Sequence, residues 1–403
     1  MAAYRIAQGP APSGPPTVSA FAEDLFAHLP RADQRRWAES YLHGLLVTPG
    51  KKSMRRLAAA VSNSPTACQS LQQFVNASPW DWGPARHELT RWIESRQPAR
   101  AWTIVPAVLP KRGDHSVGVH RRFVPGLGRT VNCQLGLGLF HSTAGEHLPS
   151  DWRLLLPDQW TDDPRLRDRA RIPAPVRHRP LWADALDLVA TTAARSSTAP
   201  VPVVADMSEL PNLPRLVAGL STQGREFVIA VQENMNVISG SHLSPQNTRY
   251  LTEPAATLSA RRSLDPHRTR HPHTAVVADP DGRLRQSRVV SGLVRLPGVR
   301  PETGGPHRTY RLFTELRTDS RRPSPVWLTN MTHRRMDELL ALTRLLTGTG
   351  AVMRALESDF GLQDFEGRSF PGWHHHMTLV SAAYAYSRLA RPAETPVLMD
   401  ASA

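Results

Sequence analysis

The amino-acid sequence predicts an α/β fold in which an all-helical N-terminal domain precedes a central sheet. Apolar residues between positions 21 and 76 recur at helical spacing, with no strand-like alternation. Beyond residue 100, short β-rich runs alternate with helical stretches, the pattern of a sheet covered by helices. After an arginine-rich β segment the chain returns to helical periodicity.

Residues 1–19 are rich in Pro, Gly and Ala without apolar periodicity and read as a flexible tail. Phe21, Leu25, Phe26 and Leu29 mark a first helix. Trp37, Tyr41 and Leu45 recur every four residues in a second, over 34–46, which Asp33 caps and Gly50 stops. Two short helices, 53–61 and 66–76, are separated by Ser62-Asn63-Ser64-Pro65. Three helices of this size can form a helix-turn-helix. Lys51, Lys52, Arg55 and Arg56 then stand at a helix start, where free backbone N–H groups also suit phosphates.

The run 101–108 is β-rich, and 134–140 alternates Leu with Gly like a strand packed closely on its neighbour. A third strand, 201–205, ends at Asp206, and a fourth, 226–231, follows a helical stretch at 213–220. Residues 261–322 hold fourteen Arg against six acids, with a hairpin over 276–294 around Asp279-Pro280-Asp281-Gly282. Helices are predicted at 332–346, 350–360 and 377–389. The domain layout is a tail (1–19), a helical DNA-binding domain (20–98), a core in two parts (99–260 and 326–392) separated by an arginine-rich β insertion (261–325), and a second tail (393–403).

The 403 residues carry a formal charge of +14, which favours a polyanion as partner because Lys and Arg replace condensed counterions on phosphates. Lys occurs only at 51, 52 and 111. The codon bias of a GC-rich genome explains Arg in place of Lys, but not the excess of bases over acids. Double-stranded DNA is the expected partner. With no run of about 18 apolar residues and no basic-then-apolar start, a membrane span and a secretory signal are not expected, and the expected location is the cytoplasm, at the nucleoid. Cys68 and Cys133 lie far apart and in no metal-binding pattern.

Several phrases, in order along the chain, carry a resemblance. They are Lys52-Ser53, Gln72-Gln73-Phe74, Ser78-Pro79-Trp80-Asp81, 111–119 (Lys-Arg-Gly-Asp-His-Ser-Val-Gly-Val), 131–134, Asp151-Trp152-Arg153-Leu154, Trp160-Thr161-Asp162-Asp163, 361–369 and Gly372-Trp373-His374-His375-His376. Together they resemble the insertion-sequence DDE transposases of family 701, related to the family 4 group, from about residue 21 to residue 390. The resemblance implies a ribonuclease-H-like mixed sheet with an inserted β domain. It also implies an enzyme that cuts and joins DNA by holding two divalent ions between three carboxylates.

Carried over residue by residue, that pattern finds one acid. Counting back from Pro110-Lys111 places Val105 and Pro106 where the family has two aspartates. Asp206 stands at the second position, although Met207-Ser208-Glu209-Leu210 replaces the usual continuation. Counting back from Gly361-Leu362 sets Gly350 at the glutamate position and Glu357 at a DNA-contacting lysine position. Thr347-Gly348-Thr349-Gly350 is expected to favour neither helix nor metal. Asp114, Asp151, Asp162 and Asp163 correspond to loops away from the metal pair. No cofactor is therefore expected, with Mg²⁺ on Asp206 only if the chain is active.

The histidine run cannot chelate one ion from one helix face, since successive side chains point about 100° apart. One ring is expected to pack or meet DNA and the others to face solvent. No phosphate-cradling loop or nucleophile elbow is present. The DNA-facing residues Lys51, Lys52, Arg55, Arg56, Lys111, Arg112, Arg121, Arg122, Arg261 and Arg262 all remain. Three roles stay open: a catalytically impaired DNA-binding homologue with a regulatory or domesticated role, an active transposase with a rearranged metal site, and a non-catalytic partner of an active transposase. A homodimer, or pairing with a related transposase, fits any of them.

Overall fold

The computed structural model describes residues 16–209, 212–239, 256–265, 272–278, 282–297, 308–316 and 324–390. Most of both expected tails and the tip of the 276–294 hairpin lie outside these residues.

Five helices open the chain: α1 (Val18–Leu25), α2 (Ala32–Val47), α3 (Met54–Val61), α4 (Ala67–Asn76) and α5 (Trp82–Arg96). The fifth was not predicted; it starts at Asp81, whose carboxylate accepts the Gly83 N–H at 2.8 Å. The apolar faces of these helices meet the last helix, α12 (Phe370–Leu389), in one continuous core that includes Phe21, Leu42, Phe74, Leu89, Trp373 and Met377. Every residue from Phe370 to Ala385 is buried except Pro371, so α12 has no solvent face over most of its length.

That enclosure corrects the expectation for the histidines: His374, His375 and His376 are all buried. Each finds a different partner because the helix is surrounded. His374 stacks on Trp82 and accepts from Arg86; His375 lies between the Val75 and Trp80 carbonyls. His376 faces the Tyr41 hydroxyl and the Gly361 carbonyl. Burial pushes His375 and His376 down to about 4, so both rings are neutral at pH 7.

The sheet begins with β1 (Ala101–Pro110), β2 (His120–Val124), β3 (Arg129–Ser142) and β4 (His147–Leu154). Strand β3 runs antiparallel to β1 along its whole length. Its Leu-Gly alternation is explained by tryptophans: a Cβ on Gly136 would meet the Trp373 ring at 3.2 Å, and one on Gly138 the Trp152 ring at 2.6 Å. The chain then passes through α6 (Asp158–Asp162), α7 (Pro164–Ala170) and α8 (Leu181–Arg195) to β5 (Val203–Asp206). Next come α9 (Leu213–Thr222) and β6 (Phe227–Val231), and β5 is parallel to both β1 and β6.

The arginine-rich segment does not stand apart from this sheet. Strands β7 (Asn236–Ser239), β8 (Ala256–Ser259), β9 (His273–Ala278), β10 (Leu284–Arg295), β11 (Tyr310–Leu316) and β12 (Val326–Thr329) extend it in the order β2-β3-β1-β5-β6-β12-β11-β10-β7-β8. The expected hairpin is β9–β10, with Leu284 opposite Ala278.

The two helices predicted at 332–346 and 350–360 are one helix, α11 (Met336–Ser358). Tertiary contacts override the low propensity of Thr347–Gly350. Thr349 Oγ1 donates to the Leu345 carbonyl at 2.8 Å and meets Thr103 Oγ1 at 2.8 Å, and a Cβ on Gly348 would lie 1.9 Å from His147 Nε2. By length and composition α11 could cross a membrane, but Leu339, Leu340 and Leu345 pack on the central sheet.

Candidate active-site cleft and basic surfaces

Asp206 is the last residue of β5, at the edge of a cleft of about 250 Å³ where β1 and β5 separate. Pro106 explains the separation. Trp102 donates its N–H to Pro202 across the β1–β5 ladder, so alternation turns the nitrogen of residue 106 to the same side, and proline has no hydrogen to give. Pairing runs only from Trp102↔Val203 to Ile104↔Ala205, which sets Val105 beside Asp206 at the next step. The residue that register sets beside Asp206 is therefore a half-buried valine packed against the core. The Asp206 carboxylate accepts from Ser208 N at 3.1 Å and Ser208 Oγ at 2.7 Å.

Gly350, where a third acid was expected, lies on α11, which runs across the same face of β1. Thr349 contacts Thr103 there, and Thr103 also bonds Ser142 at 2.7 Å. One turn further the helix buries Val352 and Met353, and a turn beyond them Leu356, in the core against which Val105 packs. Between Glu338 and Glu357 the helix has no acid. Gly350 is followed by open space, with nothing within 4 Å of where its Cβ would be. Glu357 stands eight residues beyond Thr349, about 12 Å along the axis at 1.5 Å per residue, and bonds the Gln363 side chain.

A pair of divalent ions held by three carboxylates does not fit this set of side chains. Among the described residues no group of three or more His, Cys, Asp or Glu is arranged to hold a metal ion. Two acids do share clefts with Asp206 and were not singled out in the sequence. Glu209 lines the cleft just described, and Glu233 lines the adjoining one but is paired with Arg261 at 2.5 Å. Their only signal was closeness to the ends of β5 and β6. Of the other acids considered, Asp163 caps α7, Asp162 accepts from Thr161, and Asp114 lies 3.6 Å from His115.

Asp151 is the most firmly engaged carboxylate. It is 1% exposed and receives Arg86 at 2.5 Å, Arg195 at 2.7 Å and Arg153 at 3.1 Å. Burial alone raises its pKa, but the three guanidiniums and the Trp152 N–H together bring it below the usual carboxylate value. Arg86, wholly buried, also donates to Thr378, the Trp152 carbonyl and His374. Burial pushes it down to about 10, which leaves it charged at pH 7. One signal for this node was available in the sequence: Arg86 shares the apolar stripe of α5 with Leu89 and Ile93.

The basic residues divide into two kinds. Lys52 is turned inward, donating to the Leu45 carbonyl at 2.7 Å and to that of Thr48, while its backbone N–H bonds Asp364. Lys111 donates to the Phe365 carbonyl at 2.8 Å, and burial lowers its pKa to about 8. Arg261 is held by Glu233 and the Ser324 carbonyl. These three cations are spent on internal carbonyls and a carboxylate. Lys51, Arg55, Arg56, Arg112, Arg121 and Arg262 are exposed, and Arg122 is half-buried in the wall of the Asp206 cleft. Lys51, Lys111, Arg112 and Arg368 line one groove together with Asp364 and Glu366.

Comparison with curated proteins gives no match. A solved structure, a piggyBac transposase synaptic complex with hairpin DNA, aligns at a TM-score of 0.40 and 10% identity over 91% of this chain and 71% of that one. The family model described as DDE superfamily endonuclease matches residues 24–293, which runs from the end of α1 to near the end of β10 and includes Val105, Pro106 and Asp206. The chain belongs to the DDE superfamily of endonucleases.

Proposed function

We propose that this protein is a transposase-like, double-stranded-DNA-binding member of the DDE superfamily whose strand-cutting chemistry is impaired and whose role is regulatory. The observation that carries the reading is the neighbourhood of Asp206. Valine stands beside it on β1, and the facing side of α11 offers Thr349, Val352 and Met353. A bound Mg²⁺ needs one or two carboxylates besides waters and substrate oxygens, and two ions need more than this lone acid supplies. The charge of +14 and the exposed arginines support DNA as partner. Such a protein acts at the nucleoid, alone, as a homodimer or with a related transposase.

The test is a gel-shift titration on duplex DNA at rising salt, together with a strand-cleavage assay in Mg²⁺ and in Mn²⁺. Binding that weakens steeply with salt, with no cleavage in either ion, is the expected result. A second reading, an active enzyme with a rearranged site, is favoured by one observation: Glu209 and Glu233 flank Asp206 in adjoining clefts. Under that reading DNA is cut and Asp206→Asn stops the cutting.

A further inference from the structure

The turn between β2 and β3 combines two features that a sheet edge rarely carries together. Strand β2 is the outermost strand of the ordered sheet and pairs only with the start of β3, from His120↔Cys133 to Val124↔Arg129. Its tip is a single 3-10 turn, Pro125–Leu127, closed by Gly128 at φ 62°. Phe123 is 58% exposed and Leu127 52%, two of the few large apolar side chains open to solvent among the described residues. Arginines 121, 122 and 129 surround them, and the segment from His120 to Asn132 contains no acid. Among the described residues none of these three guanidiniums makes an ion pair.

Charges on an edge strand are commonly a guard against pairing with another sheet. That purpose explains the arginines but not the apolar tip, which works against it. Strand alternation separates the two faces: Arg121 and Phe123 point to one side, while Arg122 and Val124 point into the cleft that holds Asp206. The hairpin is thus a wall of the cleft, with an aromatic ring outside it and cations on both faces. An exposed ring bracketed by unpaired cations suits a strand of bases linked by phosphates, because every base presents a flat face to stack on and every linkage a charge to neutralise.

We propose that the β2–β3 hairpin is a DNA-distorting arm, in which Phe123, with Leu127 beside it, stacks on an unpaired base while Arg121 holds the flanking phosphate on that face and Arg122 and Arg129, on the cleft side, hold the phosphates of the strand as it passes the hairpin. This rests on the DNA-binding reading above and adds to it a preference for DNA whose bases are already unstacked. Opening a base pair costs a few kcal/mol in intact duplex and much less at a mismatch, so an arm that stacks on a freed base favours mismatched DNA.

The experiment compares the full chain with Phe123→Ala and Phe123→Trp on two duplexes, one fully paired and one with a central mismatched bubble carrying 2-aminopurine. The parent protein is expected to bind the bubble about tenfold more tightly and to change the 2-aminopurine fluorescence. Phe123→Ala is expected to lose both effects while binding paired DNA within about twofold of the parent. Phe123→Trp is expected to keep them. Since Phe123 is exposed, matching thermal melts establish that the variants fold. Binding of paired DNA with no preference for the bubble, or a preference that survives in Phe123→Ala, overturns the arm and leaves the DNA-binding reading standing. Absence of binding to either duplex at low salt overturns both. If Phe123→Ala instead changes the sedimentation of the protein without DNA and leaves the bubble preference intact, the tip is a contact between proteins and the proposal fails.

Discussion

Two carboxylates, Asp151 and Asp206, sit on strands of the same sheet in opposite circumstances. Asp151 is buried under three arginines, and every donor of Arg86 that reaches it or its neighbours finds an acceptor. Asp206 is exposed and, among the described residues, is answered only by Ser208. One acid joins β4 to α5, α8 and α12, and without it the helical layer has a buried cation and no counter-charge. The other is tied to nothing that holds the fold. The charged groups that organise the structure and the exposed acid at the cleft are therefore separable, and substitution at the second leaves the first intact.

Breaking the structural member of this comparison gives the largest effect. Asp151→Asn keeps the shape but leaves Arg86, Arg153 and Arg195 facing one another, with Asp187 and Asp184 acting on Arg153 alone of the three. Urea unfolding at pH 7 is expected to show a loss of about 3–5 kcal/mol, since removing one partner strands a buried charge. A loss under about 1 kcal/mol would mean that water reaches the node and the burial argument is wrong.

Acid probes the same layer differently. The folded rings of His375 and His376 stay neutral down to about pH 4, whereas unfolded imidazoles take up protons near 6.5. Unfolding thus binds protons in that window, and stability is expected to fall as pH drops from about 6.5 to 4, by at most about 3 kcal/mol per ring. Asp184, pushed up to about 6 by burial, works in the opposite sense, gaining stability as pH falls below 6. Two rings outweigh one carboxyl, so the net slope is expected to be positive with pH. Urea midpoints that are flat between pH 7 and 5 would contradict this.

These outcomes also mark what the sequence could and could not disclose. Helical periodicity located α1 to α4 and α12, and the Leu-Gly alternation located β3 and its close packing. The sequence did not reveal that α12 would be enclosed on all sides, because its periodicity looks amphipathic until the sheet and the N-terminal helices are placed around it. The same blindness hid the partners of Lys52 and Lys111, both expected at DNA: their ammonium groups donate to backbone carbonyls, which have no sequence signature. At the cleft, the sequence assigned Val105 and Asp206 to two acid positions of the family pattern, and the β1–β5 register makes the two residues neighbours. Glu209 and Glu233 escaped notice because only the pairing of β5 with β6 brings their loops together.

Two glycines of α11 extend the contrast within a single helix. Gly348→Ala forces a methyl into His147 and should destabilise by about 1–3 kcal/mol while loosening α11 from β1. Gly350→Ala meets open space and should stabilise by about 0.5–1 kcal/mol, the ordinary gain of alanine in a helix. Thermal melts of the pair check both signs. If Gly350→Ala were the damaging one, the helix register that sets Thr349 against Thr103 of β1 would be mistaken.

The smallest effect belongs to Asp206→Asn. Its carboxylate is exposed, its two hydrogen bonds among the described residues come from Ser208, and an asparagine oxygen can accept both. Stability is expected to change by less than about 0.5 kcal/mol, as for a surface substitution, and affinity for paired DNA by less than about twofold. Added Mg²⁺ is expected to raise the melting temperature of neither the parent nor the variant, because a ligand stabilises only as far as it binds the folded state. A rise in the parent that disappears in Asp206→Asn would require further oxygen ligands to close around Asp206. The cleft would then have to be redrawn with Glu209 or Glu233 turned toward it, as the second functional reading demands.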